Sequence, residues 1–132
     1  MQDADMVLNP GPWPASDSMF GERPWGSWQI IDVEDGYKVK RIEVHPGCRL
    51  SYQVHEHRSE HWVVVQGVAT CLIDGVESVA HPGHSVDVPL GAKHRLGNDG
   101  AATLVVIEVQ RGAYTGEDDI VRLEDDYGRC GD

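Results

Sequence analysis

The stretch Gln53 to Trp62, QVHEHRSEHW, sets three histidines and two glutamates into ten residues, and VVVQG carries it on to Gly67. Side chains two apart on a strand share a face. Gln53 and His55 then look the same way, His57 can join them, and Val54 and Glu56 look away. On the following strand Glu60, Trp62 and Val64 share one face, and His61, Val63 and Val65 the other. A second histidine source lies downstream in GHSVDVPLGAKHRLGN, where Pro89 and Gly91 turn the chain and His94 opens a new strand. Neighbouring antiparallel strands of a barrel would bring positions 53, 55, 60 and 94 within reach of one ion. Two imidazoles, a carboxylate and an amide oxygen suit zinc, manganese, iron(II), nickel or cobalt, and are too rich in nitrogen for magnesium or calcium. With no thiolate among the donors, the centre is expected to keep positions open for water or substrate.

Outward from this stretch, short β-rich runs alternate with turn signals. SWQIIDV, YKVKRIEV, RLSYQV, HWVVVQG, VATCLID, SVDVPL and TLVVIEVQ are separated by EDGY, HPGC, DGVE, HPGH, PLGAK and NDGAA. No helical period runs through the chain before position 117, so the expectation is an all-β sandwich or barrel. Residues 1–21 read as a polar, proline-punctuated tail, either without fixed structure or pinned by Trp13 and Phe20 onto the domain or a partner subunit. Residues 22–132 read as one domain. The closing EDDIVRLEDDYGR fits a short helix or an edge segment equally.

The formal net charge of −11 over 132 residues opposes binding to nucleic acid or to an anionic membrane surface. A small anionic substrate requires cations gathered in one cleft against that field. No run approaches a membrane span and the N-terminus lacks a signal-peptide core, so a cytoplasmic location is expected. Three cysteines without a CxxC pair make neither a disulfide framework nor a zinc knuckle. Cys71 reads as a buried apolar residue and Cys130 as exposed.

Gly47, five residues, Gln53-Val54-His55, four residues, Glu60, six residues and Gly67 match the first cupin motif, with Gln53 where a histidine is usual. Gly83, five residues, Pro89, Gly91, His94 and Asn98 match the second. With RPWGSW, YKVKRIEVHPGCRLSYQ and LVVIEVQRGAYTGEDDIVRLEDDYGR, residues 22–129 resemble the isomerase domain of type II mannose-6-phosphate isomerases. That domain is often fused behind a mannose-1-phosphate guanylyltransferase. The resemblance implies a cupin double-stranded β-helix, a jelly-roll barrel that interconverts mannose 6-phosphate and fructose 6-phosphate through an enediolate.

The resemblance also implies Gln53, His55, Glu60 and His94 as ligands of one divalent metal, zinc foremost. Lys40 and Arg122 would be active-site cations. His57 is a candidate proton carrier beside Glu56 and Lys40. A homodimer paired through an outer sheet face, and a separate guanylyltransferase partner, are further expectations. One departure stands out: the family commonly reads HHHRAEHW where this chain has HEHRSEHW, so Glu56 replaces a histidine. That exchange keeps a second reading open, a non-catalytic metal-containing cupin that binds a sugar or sugar phosphate. An iron(II) dioxygenase would need a ligand set richer in histidine than Gln53 allows.

Overall fold

The computed structural model describes residues 19–128. Trp13 and Cys130 lie outside these residues, as does most of the expected tail. Phe20 and Gly21 belong to the first strand. Among the described residues the chain forms strands β1 (Phe20–Arg23), β2 (Gly26–Glu34), β3 (Tyr37–Val44), β4 (Tyr52–Val54), β5 (Arg58–Gln66) and β6 (Ala69–Ile73). The series continues with β7 (Val76–Ala80), β8 (Ser85–Val88), β9 (His94–Gly97), β10 (Leu104–Gly112) and β11 (Val121–Glu124). They build two antiparallel sheets, ordered β1-β2-β3-β10-β5-β8 and β11-β4-β9-β6-β7, which is the expected jelly-roll barrel. The undecided C-terminal stretch is an edge strand, β11, paired with β4. No described helix is long and apolar enough to cross a membrane.

The barrel interior changes character along its axis, and strand register explains how. Ile42, Val106 and Val64 stand in one cross-strand row, and all three are buried. The next inward row is Lys40, Glu108 and Trp62; beyond it come Lys38, Gln110 and Glu60, and then Arg58 opposite Gly112. One end is therefore a packed apolar core that includes Leu96, Leu104 and Cys71. There burial pushes the Cys71 thiol up to about 11, as befits an apolar filler. The other end holds buried charge, which is stable only when paired.

Gly26 shows how tightly β2 is seated on β3. Its φ of +152° is outside ordinary L-residue space, and a Cβ there would lie 1.9 Å from the Glu43 carbonyl oxygen. Gly26→Ala is expected to lower stability by about 1–3 kcal/mol or more in urea unfolding; an unchanged midpoint would show that β2 can shift freely.

Candidate metal centre

His55, Glu60 and His94 converge, each nearly fully buried, with one donor atom apiece lying within 4.8 Å of the others. Among the described residues this is the group of His, Cys, Asp and Glu side chains able to hold a metal ion. The donors come from facing sheets, not from neighbouring strands as the parity reading assumed. Glu60 projects inward from β5 in the larger sheet; His94 opens β9 in the smaller one, and His55 follows the end of β4. Gln53 is the Cα partner of His94 across β4 and β9, and it lines the cavity beside the cluster. Its amide nitrogen donates to Ser51 Oγ at 3.0 Å, which directs the amide's donor side to Ser51.

Each histidine is fixed by a backbone carbonyl. His55 Nδ1 donates to Asp119 O at 2.6 Å and His94 Nδ1 to Ala92 O at 2.9 Å. In the neutral rings Nε2 then carries the lone pair, and both Nε2 atoms face Glu60, at 3.0 Å from His55 and 3.7 Å from His94. Two lone pairs and a carboxylate facing one another repel unless a cation lies among them. Arg58 meets part of that need, with Nε 3.0 Å from Glu60 and Nη2 3.1 Å from His55 Nε2. His94 Nε2 is buried without a hydrogen-bond partner. Outer hydrogen bonds that set the tautomer, together with an orphaned inward nitrogen, fit a divalent metal with nitrogen and oxygen ligands.

A shell of polar contacts surrounds these donors. Trp62 Nε1 donates to Glu60 at 3.0 Å and to Glu108 at 3.1 Å. Burial alone would raise the Glu60 carboxyl, but positive charge facing it, supplied by the Arg58 guanidinium while the two histidines are neutral, holds it well below the usual range. Burial, reinforced by the Glu60 charge, pushes Glu108 up to about 8. Asp119 accepts the backbone amides of Glu56 and His57 at 2.9 Å each, and so shapes the bend that delivers His55.

A cavity of about 170 Å3 is lined by Glu60 of this cluster and by Gln53. Lys40, Arg58, Arg122 and Arg23 line it, against the carboxylates Glu60, Glu108 and Glu117. Local cations therefore outnumber anions inside a chain of net charge −11, which meets the condition for an anionic ligand. Lys40 and Arg122 line this cavity. His57 does not: β4 ends at Val54, the chain bends through residues 56–57, and His57 lies exposed in an outer cleft with Glu56, Tyr114 and Asp119. His61 points outward and pairs with Asp87 at 2.5 Å.

Several residues at the site were given no specific role from sequence. Arg58 and Glu108 carried a usable signal, since charged residues at inward parity of β-strands are seldom buried without a role. Glu117 and Asp119 carried none, because their contacts are made across more than sixty positions.

Comparison with known proteins agrees with this geometry. The family described as "Mannose-6-phosphate isomerase C-terminal" matches residues 17–125. The chain is 52% identical over 107 residues to the mannose-1-phosphate guanylyltransferase of Escherichia coli K12, and 50% identical to the alginate biosynthesis protein AlgA of Pseudomonas aeruginosa. Each match covers 81% of this chain and 22% of the relative, so the chain spans about a fifth of the length of these relatives. Its fold is the cupin double-stranded β-helix. A conserved protein of Klebsiella pneumoniae with a double-stranded β-helix domain superposes with a TM-score of 0.65 at 18% identity, over 92% of this chain and 97% of that one. On its sequence match, its barrel and its buried His-Glu-His cluster, the chain belongs to the mannose-6-phosphate isomerase C-terminal domain family.

Proposed function

We propose that this domain is a metal-dependent aldose–ketose isomerase that interconverts mannose 6-phosphate and fructose 6-phosphate. The observation that carries the reading is a cluster of two oriented imidazoles and a carboxylate whose Glu60 also lines a cavity where cations outnumber anions. His55, Glu60 and His94 would hold the ion with Gln53, and zinc is the proposed metal among those the donor set suits. When bound, such an ion supplies Lewis-acid stabilisation of negative charge on sugar oxygens.

The chain's own residues supply the rest. Arg58 and Trp62 hold Glu60 in place from two directions. Lys40 and Arg122 offer positive charge to the phosphate. Glu108 is the proposed proton carrier between carbons 1 and 2, because burial raises its carboxyl to about 8 and its hydrogen-bond partners are the neutral Trp62 and Gln110, whereas Glu60 is paired with Arg58 and Glu117 with lysines. Glu56 is exposed and outside the cavity, so its substitution for the family's usual histidine leaves the donor set intact.

The test is a coupled assay for fructose 6-phosphate with metal-stripped protein reloaded with zinc, manganese, cobalt or iron(II). Arg122→Ala should raise KM about tenfold or more, as expected for a lost hydrogen bond to a charged group, with metal content unchanged. Folded, metal-loaded protein with no turnover would replace the isomerase with the non-catalytic sugar-phosphate binding protein.

A further inference from the structure

Two lysines of β3, Lys38 and Lys40, are each 6% exposed and project inward side by side. Both converge on a single carboxylate from the loop between β10 and β11. Lys40 Nζ lies 2.6 Å from Glu117 Oε1 and Lys38 Nζ 3.0 Å from Glu117 Oε2. Glu117 is a different kind of partner from the lysines it joins, because its side chain is 47% exposed. One carboxylate thus neutralises two buried ammonium groups, and one positive charge is left over.

The position of this bridge matters. Glu117 lines the metal cavity together with Lys40, and it also lines a second cavity of about 450 Å3 together with Lys38, Tyr114 and Thr115. Glu117 is the residue the two linings share. Alone, the metal cavity is smaller than the roughly 300–1,000 Å3 typical of small-molecule sites; joined to its neighbour it falls inside that range.

The loop is anchored on both sides of Glu117 by contacts that do not involve its side chain. Lys38 also donates to Thr115 O at 2.5 Å, Arg58 to Gly116 O at 3.3 Å, and Asp119 holds the bend before β5. The Glu117 side chain can therefore rotate into water without refolding of the loop. Doing so leaves two buried ammonium groups without this counter-charge, Lys38 on the Thr115 carbonyl and Lys40 over the Trp28 ring, a costly state unless another anion replaces the carboxylate. A phosphate dianion neutralises both charges where the carboxylate neutralises one, and lysine ammonium groups bind phosphate as point charges. Glu34 and Asp35, exposed at the turn between β2 and β3, also line the second cavity and disfavour an anion beside them, which leaves the lysine pair as the favoured place.

We propose that Glu117 is a placeholder for the substrate's phosphate: the carboxylate leaves Lys38 and Lys40, a phosphate monoester takes its position, and the two cavities become one site. The proposal rests on the sugar-phosphate reading for its ligand, and not on catalysis.

The test measures inorganic phosphate binding to the full chain by calorimetry, without turnover. Glu117→Gln keeps the shape of the side chain and removes the competing charge, so it should bind phosphate about tenfold more tightly than the unaltered protein. Adding Lys38→Met should abolish that gain. The KM for mannose 6-phosphate should fall in parallel. A folded Glu117→Gln protein that binds phosphate no more tightly overturns the proposal, even if the protein isomerises mannose 6-phosphate. A gain in phosphate affinity that Lys38→Met removes, in a protein without isomerase activity, upholds the anion site and sinks the isomerase reading instead. Should Glu117→Gln fail to fold, Glu117→Asp provides the same readout, since its shorter side chain spans the two ammonium groups poorly.

Discussion

Glu60→Gln is expected to lose the metal and a large part of the fold's stability in one change. Glu60 is the anion of the three-residue cluster, and His55, His94, Arg58 and Trp62 all turn polar atoms toward it. A neutral amide in its place keeps the volume but leaves the guanidinium of Arg58, 6% exposed, without its buried counter-charge. Breaking a buried ion pair by removing one partner costs about 3–5 kcal/mol. The amide also turns a donor toward the histidines and weakens the donor set for a divalent ion. Metal content after dialysis should fall from near one ion per chain to trace, and the urea midpoint should drop with it. Stoichiometric metal in Glu60→Gln would show that the ion lies elsewhere. Lost metal with unchanged stability would show that Arg58 finds another anion, Glu108 being an alternative in the cavity wall.

The contrast between Glu60 and His57 shows how far strand parity can be read. From Arg58 to Val64 the period of two holds without interruption, with Arg58, Glu60, Trp62 and Val64 inward. The same rule places Lys38 and Lys40 inward on β3. It fails at His57 because β4 lasts only from Tyr52 to Val54, and the bend that follows is imposed by Asp119, distant in sequence. A period is a local property, whereas a bend fixed by a remote carboxylate is not. The same limit hid the Glu117 bridge, whose partners lie 77 and 79 positions away. β7 escaped notice for another reason. It is an edge strand with four of its five residues exposed, so it has no apolar alternation to detect. The candidate donors His55, Glu60 and His94 were nameable from spacing, yet their assembly across two facing sheets followed only from the barrel's topology.

Glu108→Gln should separate the chemistry from the metal. The exchange preserves size and leaves an oxygen to accept the Trp62 indole N–H; the Gln110 amide, which donates to the other Glu108 oxygen and whose own oxygen is unpartnered, can turn over to accept the new amide, so the cavity wall and the ligand cluster should keep their shape. What it removes is the ability to hold and release a proton. Moving a proton between adjacent carbons needs one group that takes it from the first and returns it to the second. His57 and Glu56 lie outside the cavity, and Lys40 is engaged by Glu117. Loss of a positioned acid–base group typically costs about 10²–10⁴-fold in rate. kcat should therefore fall by at least about a hundredfold, while metal content and KM stay close to those of the unaltered protein. A kcat within about twofold would remove Glu108 from the reaction and return the search to residues outside the cavity wall. A second readout checks that the side chain is as buried as the geometry has it. In metal-free protein, burial and the Glu60 charge push the Glu108 carboxyl up to about 8, so the folded form holds this proton more tightly than the unfolded chain does. That contribution to stability is present in full at pH values below the ordinary carboxylate range and is lost as pH rises toward 8. Glu108→Gln should flatten this fall in urea unfolding. A flattened profile with unchanged kcat would mark Glu108 as a buried acid that takes no part in the chemistry, whereas loss of both identifies the group whose proton the reaction uses.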